Sequence, residues 1–412
     1  MTKKVYRLPG QFEDERHGRK KAVLIIAIFI ATGFVTGFYF TRNVAAPKQQ
    51  KVSDSKVVTK GPRADSIEGR YLFSGTIVLG RGVEQQAQSA GGVNYAQPFQ
   101  QIASFNPEQY DGWLADLECP VTNNNVSFRQ SVETLQFNCR PEWLPELTKH
   151  IKFLNLANNH TNDMGTKGFL ETQKNLEAGG VQTIGNFNVT AKQDICEVMA
   201  LPVRLQKDSS TAETGTLPVA FCAWQYFFRQ PQAGELEVMQ RYAKVMPVFA
   251  FMHSGAEYFP TAAPNQTDIA HKLIDLGGEF VIGNSPHWVQ NSEVYKDKLI
   301  VYSTGNFIFD QLDSETNRGL NMDVTFKTRY DANLEKWLRL GPDCLKRGDD
   351  CLTQAEKTGL KKIKLNYDFA PVASAGGYKK LTRKGDAALQ AGVEQRLDWA
   401  KTSSQLKATT AR

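Results

Sequence analysis

Ala22 to Phe40 (AVLIIAIFIATGFVTGFYF) runs for 19 residues without a charge, and this run limits what the rest of the chain can be. Wound as a helix at about 1.5 Å per residue it is roughly 29 Å long, close to the hydrocarbon thickness of a bilayer. Residues 1–21 carry Lys3, Lys4, Arg7, Arg16, Arg19, Lys20 and Lys21 against Glu13, Asp14 and Glu15. Such a basic tail stays on the cytoplasmic side, and Tyr39 with Phe40 closes the span near the opposite interface. A cleaved signal peptide, with Val44-Ala45-Ala46 as its small-residue site, is the alternative. The apolar run exceeds the ~7–15 residues of a signal-peptide core, which favours an uncleaved single-pass anchor in the cell membrane. Under either reading the bulk of the chain is expected outside the cytoplasm.

The cysteines agree with export. All six (Cys119, Cys139, Cys196, Cys222, Cys344, Cys351) follow the span. Sequence neighbours suggest Cys119–Cys139, Cys196–Cys222 and Cys344–Cys351, although six cysteines allow about 15 pairings. Zinc binding competes, but no CxxC pair supports it, and structural disulfides suit an oxidising compartment. The formal net charge of +6 is concentrated in the tail and in residues 41–70. Neither basic cluster interleaves aromatics as a nucleic-acid groove does, so nucleic acid is excluded as a partner.

Residues 41–69 are polar and aperiodic, and read as a tether that holds a domain away from the membrane. From Tyr71 short apolar runs alternate with helical patterns. The expected strands are Tyr71–Leu79, Gly112–Leu117, Lys152–Leu156, Val181–Ile184, Leu217–Ala223, Met246–Met252, Glu279–Ile282 and Leu299–Ser303. Helices are expected over Lys167–Ala178, Gly234–Ala243 and Asn265–Leu276. Residues 312–412 add two closing strands (Met322–Arg329, Lys362–Phe369), the Cys344/Cys351 loop and a terminal helix from Asp386 to about Leu406. This alternation predicts an α/β layered domain with helices covering a sheet.

Several apolar runs end directly in polar clusters, and strand ends of an open α/β sheet are where ligand groups collect. Asp116 and Glu118, two apart on a strand end, share one face and suit a hard cation or acid–base work. Alone they would be a solvated turn before Pro120. Asn158, Asn159 and His160, followed by Asp163 and Gly165, end the next run. A helix cap needs one such residue rather than four, and His near a reacting phosphate acts as a general acid. His253 closes the run Phe249–Met252, with Glu257 just beyond it. His287 follows Val281–Ser285, and Val301–Phe307 ends in Gly305-Asn306. A lone strand-end histidine is more often a packing residue; three histidines in one kind of position point to a site.

Taken in order, these segments resemble the CapA-type poly-γ-glutamate capsule-synthesis family, which has a calcineurin-like metallophosphoesterase fold. The matching blocks are FSGTIVLGRGV at 73–83, ADLECPVT at 115–122 and NLANNHTNDMGTKGFLET at 155–172. They continue with MHSGAEYF at 252–259, IGNSPHWVQNSEVY at 282–295 and LIVYSTGNFIFD at 299–310, so that the resemblance covers about residues 70–311. The fold it implies is a layered β-sandwich flanked by helices, behind one N-terminal transmembrane helix. It further implies a divalent-metal pocket of Asp116, Glu118, Asn159, His253 and His287, with His160 and Asp163 in the catalytic position. Arg81, Asn158 and Glu257 are then expected on the substrate side, Arg81 through its fork of donors. Three positions depart from the family pattern. Thr76 stands after Gly75 where the family has aspartate, Ser285 replaces the first histidine of His-Pro-His, and Asp116 replaces asparagine. Thr and Ser are poor transition-metal ligands, so the expected cofactor is one divalent ion (manganese, zinc or magnesium) or none, rather than a two-metal clamp.

The function expected is a membrane-anchored extracytoplasmic factor in synthesis, export or anchoring of an anionic envelope polymer of the poly-γ-glutamate type. Its partners would be the polymer and other membrane components of a synthesis or export complex. Two alternatives stand beside it: a metal-dependent phosphoesterase acting on an extracytoplasmic phosphate ester, and a non-catalytic scaffold on the same fold.

Overall fold

Among the described residues fourteen strands join in one hydrogen-bonded sheet, and the first of them organises the rest. In the computed structural model, which describes residues 63–345, 348–376 and 381–410, that strand spans Ser66–Ile77. It therefore begins four residues ahead of the expected tether boundary, because Ser66–Phe73 pairs antiparallel with Arg329–Met322 along its whole length. The basic tail, the apolar span and the tether up to residue 62 lie outside the described residues. Among the described residues no helix is long and apolar enough to cross a membrane.

The first strand changes partner as it runs. Ser66–Glu68 also pairs with Arg204–Gln206, Tyr71–Phe73 with Gly112–Leu114, and Thr76–Ile77 with Asp116–Leu117. Thr76 and Ile77 also pair with Asn306 and Ile308. Gly75 is required at this crossover, since a Cβ there would meet the Gly305 carbonyl oxygen at 2.2 Å. Strands Gly112–Leu117, Phe153–Asn155 and Gln182–Ile184 follow in parallel order on one side. On the other side of the molecule's sheet, Ser210–Tyr226, Val248–Ser254, Phe280–Asn284 and Lys298–Val301 form a second parallel run. Strands of both runs are buried on both faces, as their continuous apolar stretches require.

The two halves of the sheet pack face to face. Phe73 of the first strand meets Phe249, Phe251 and Phe280 of the second run at centroid distances of 6.2, 5.8 and 5.6 Å. Phe326, Tyr367 and Phe369 extend this aromatic layer. A second core cluster, including Leu72, Val83, Trp113, Trp143, Leu154 and Leu176, lies on the outer face beneath helices such as Gly165–Ala178. The architecture is thus mixed α/β, a large sheet flanked by helices.

All three suggested disulfides form: Cys119–Cys139, Cys196–Cys222 and Cys344–Cys351. The closing strand expected over Lys362–Phe369 runs instead over Asn366–Ala375, where it pairs with Arg318–Lys327, and three further expectations change. Leu217–Ala223 is the middle of a much longer hairpin in which Cys196–Lys207 pairs with Ser210–Tyr226. The helix expected from Gly234 starts only at Met239, since Gly234 has φ +86° and cannot sit in a right-handed turn. The terminal helix is two helices, Ala387–Leu397 and Trp399–Thr410. Asp398 between them adopts φ 55°.

Candidate functional site

Parallel strands bring their carboxyl ends to one edge, and there the two sheet halves meet through side chains. Asp116 is the hub, with 0 % exposure. Asn155 Nδ2 and Asn158 Nδ2 donate to its Oδ1 at 2.9 and 3.2 Å. Its Oδ2 faces His253 Nδ1 at 3.1 Å and accepts from Thr76 Oγ1 at 3.4 Å. Both oxygens are thus met by protein donors. Its effect is to orient His253: with Nδ1–H donated to the carboxylate, the Nε2 lone pair points the other way.

That lone pair faces Asn159 Oδ1 at 2.7 Å and Glu118 Oε1 at 3.7 Å. This contact is satisfied by an imidazolium donating from both ring nitrogens, by the asparagine amide turned to donate, or by a cation shared between the two. Glu118 adds to the case for a cation. It is 2 % exposed, and its Oε2 is buried without a partner. Burial first, then the neighbouring Asp116 and Glu257 carboxylates, push its carboxyl well above the usual range. A cation would relieve both penalties. Among the described residues no three His, Cys, Asp or Glu side chains converge as an ion cage. Glu118, Asn159 and His253 are the side chains that would hold a single ion at this point, and the described residues offer no second donor set beside them.

His160 is built differently. Its Nδ1 and the Phe137 backbone N–H both meet Asp163 Oδ2, at 2.8 and 2.7 Å. The Phe137 ring stacks on the imidazole at 3.9 Å, and the same ring lies 4.4 Å from the Arg81 guanidinium. His160 and Asp163 therefore form an oriented imidazole–carboxylate pair beside the Glu118 group. Asn158 is corrected. Fully buried, it donates to Asp116 and to the Leu117 carbonyl and accepts from the His160 and Thr161 N–H groups. It braces the turn instead of facing a substrate.

His287 stands opposite. Its Nδ1 pairs with Asn306 Oδ1 at 2.9 Å, and its Nε2 is 3.9 Å from Glu257 Oε1. Burial lowers its pKa to about 3 against the support of Asn306, and the charges of His253, His160 and Arg81 also bear on it. Ser285 turns its hydroxyl to the Gly255 carbonyl at 3.0 Å and so contributes no ligand. Glu257, 36 % exposed, lies at the mouth. Arg81 Nε donates to Asp310 Oδ2 at 3.1 Å, and the same oxygen takes the Gly82 N–H. Arg81, Tyr258, Ser285 and His287 all have positive φ. Such strained non-glycine residues gather where packing over-determines a functional loop.

Phe137, Asn155 and Asp310 escaped sequence reasoning as site residues, and Asn306 stands out in the sequence only as a polar strand end with no role attached. Each acts through tertiary contact, and Asp310 left a signal as a charge closing the apolar run Phe307–Phe309.

The sequence pattern of the family described as bacterial capsule synthesis protein PGA_cap matches residues 70–311. A capsule biosynthesis protein CapA from Bacillus anthracis is 26 % identical over 255 residues, 58 % of this chain and 59 % of that protein. A PGA biosynthesis protein CapA from Bacillus subtilis is 26 % identical over 299 residues, 70 % of this chain and 72 % of its own length. A probable polyglutamine synthesis accessory protein of Mycobacterium tuberculosis is 25 % identical over 285 residues, 58 % and 74 % of the two chains. The matched stretch contains every residue of this cluster, from Thr76 to Asp310, and the chain belongs to the bacterial capsule synthesis protein PGA_cap family.

Proposed function

We propose that this chain is a membrane-anchored, extracytoplasmic factor in the synthesis, export or anchoring of an anionic envelope polymer of the poly-γ-glutamate type, built on a metallophosphoesterase-like sandwich. The observation that carries this is the convergence of Glu118, Asn159 and His253 within the stretch matched by the capsule family. The relatives' names supply the polymer, and the apolar run Ala22–Phe40 supplies the anchor. A divalent ion on Glu118, Asn159 and His253 would neutralise the buried carboxylate and polarise an anionic oxygen brought to it. The chain's own part is to aim His253 through Asp116, to hold His160 through Asp163 and Phe137, and to present Glu257 at the entrance.

The His160–Asp163 pair, at 2.8 Å, favours a second reading in which the pocket hydrolyses a phosphate ester, since an imidazole held by a carboxylate is the usual acid–base arrangement. Elemental analysis and calorimetry of the full chain in detergent, with manganese, zinc and magnesium, test the pocket. The expected result is one ion per chain, lost in His253→Ala. Deletion of the gene tests the role, with loss of surface polymer expected and its return on complementation. Polymer made normally without the chain would sink the reading. Phosphate release from a model ester by wild type, absent in His160→Ala, would move the assignment to the phosphoesterase.

A further inference from the structure

We infer that an oxyanion subsite lies beside the ion pocket, in the cleft between Arg81 and Arg140, and that it takes a carboxylate of an extended anionic chain whose neighbouring group reaches the pocket. This inference rests on the proposed polymer role. The cleft has a volume of about 250 Å³ and is lined by Arg81, Glu84, Gln85, Gln88, Asn125 and Arg140, among others.

Both guanidiniums are pre-aimed. Asp310 takes the Nε of Arg81 at 3.1 Å, and the side chain lies over Phe137 and Phe309 at 4.4 and 5.4 Å. Glu84 takes the Nε of Arg140 at 3.0 Å, while Asn125 Oδ1 accepts weakly from its Nη2 at 3.4 Å. A guanidinium anchored by its Nε edge loses little entropy when it grips a planar oxyanion, which is why arginine suits carboxylate recognition. The side chains are 16 % and 37 % exposed, so both remain reachable from solvent.

Arg81 joins the cleft to the pocket through the Phe137 ring, which lies 4.4 Å from its guanidinium and stacks on His160 at 3.9 Å. Two anionic groups on one chain could therefore be held together, one by Arg81 and Arg140 and the other at the ion. A single small anion cannot make both contacts, so length should matter to affinity.

Calorimetry of the full chain in detergent with a γ-glutamate decamer, monomeric glutamate and inorganic phosphate tests this. The decamer should bind at least tenfold more tightly than either small anion. Arg140→Ala should weaken it about tenfold, with Arg140→Lys intermediate because the planar fork is lost while the charge stays. Gln85→Glu, which adds negative charge without removing an arginine, should weaken it in the same sense and guards against misfolding of the first variant. Arg129→Ala, exposed and outside the cleft lining, should bind as wild type. Decamer affinity unchanged in Arg140→Ala, or no better than that of phosphate in wild type, would overturn the subsite. Gene deletion with complementation by Arg140→Ala separates this failure from that of the wider role. Polymer lost on deletion but fully restored by the variant would count against the cleft alone, while polymer unaffected by deletion would remove the role beneath it.

Discussion

Glu118 is the side chain through which the proposed ion would show itself most directly. Its raised carboxyl means that the folded state disfavours the charged form. Without a cation the penalty is absent below the ordinary carboxylate value and grows as pH rises through the folded value. Glu118→Gln should therefore stabilise the ion-free protein at pH 8 by about 1 to 3 kcal/mol, and should abolish the stabilisation that manganese gives wild type. Urea unfolding with and without the ion reads both effects. His287 has the opposite sign of shift. Its pKa is lowered to about 3, so its contribution is full above the free value of about 6.5 and is lost as pH falls towards the folded one. His287→Gln should make the acid limb of stability shallower by up to about 1.4 kcal/mol per pH unit, in unfolding experiments between pH 6 and 3. Much of this site was legible because its members end apolar runs, as Asp116, Asn159 and His253 do. Their division of labour was not legible. Asp116 carries a ligand's chemistry, yet its oxygens are consumed by Asn155, Asn158, Thr76 and His253, and only the register of four strands determines that.

The loop between Cys119 and Cys139 couples a strand to the site. Cys119 directly follows Glu118, and the Phe137 ring and backbone hold His160 and Asp163. Thr122 and Asn138 tie the two stems together at 2.7 Å. Closing a loop with a sequence separation of 20 constrains the unfolded chain by about 3 kcal/mol. Replacing both cysteines by serine should lower unfolding stability by about that amount. It should also expose His160 to faster modification by diethylpyrocarbonate, a readout that a uniform loss of stability would not favour over His271. Element by element, strands with simple apolar runs, such as Gly112–Leu117 and Val248–Ser254, could be read from the sequence. Cys196–Lys207 could not. Glu197, Pro202, Arg204 and Gln206 break its apolar pattern, and its pairing with Ser210–Tyr226 supplies what propensity lacks. The split in the terminal helix has a similar cause. Asp398 takes the left-handed region, and nothing in the periodicity of Asp386–Leu406 marks that residue as a hinge.

On the scale of the whole molecule, the pocket exists only because the two sheet halves are pressed together. Glu118 and Asn159 lie just beyond strands of one parallel run, Gly112–Leu117 and Phe153–Asn155, and His253 lies within a strand of the other, Val248–Ser254. The layer that fixes their spacing is aromatic, centred on Phe73 against Phe249, Phe251 and Phe280. Phe73 is 1 % exposed and sits only three residues before Thr76, so its packing sets how closely the strand ends approach. Phe73→Ala should cost about 3 to 5 kcal/mol of stability through lost burial and the cavity left behind. Metal affinity should fall as well, although no ligand is touched, because an interior packed to crystal density transmits a shift of the halves to the donors. Phe73→Leu, closer in volume, should recover most of both. Calorimetry with manganese on folded protein distinguishes this from simple unfolding: if Phe73→Ala, held well below its melting temperature, binds the ion as tightly as wild type, the pocket is set by its loops and the core acts on stability alone.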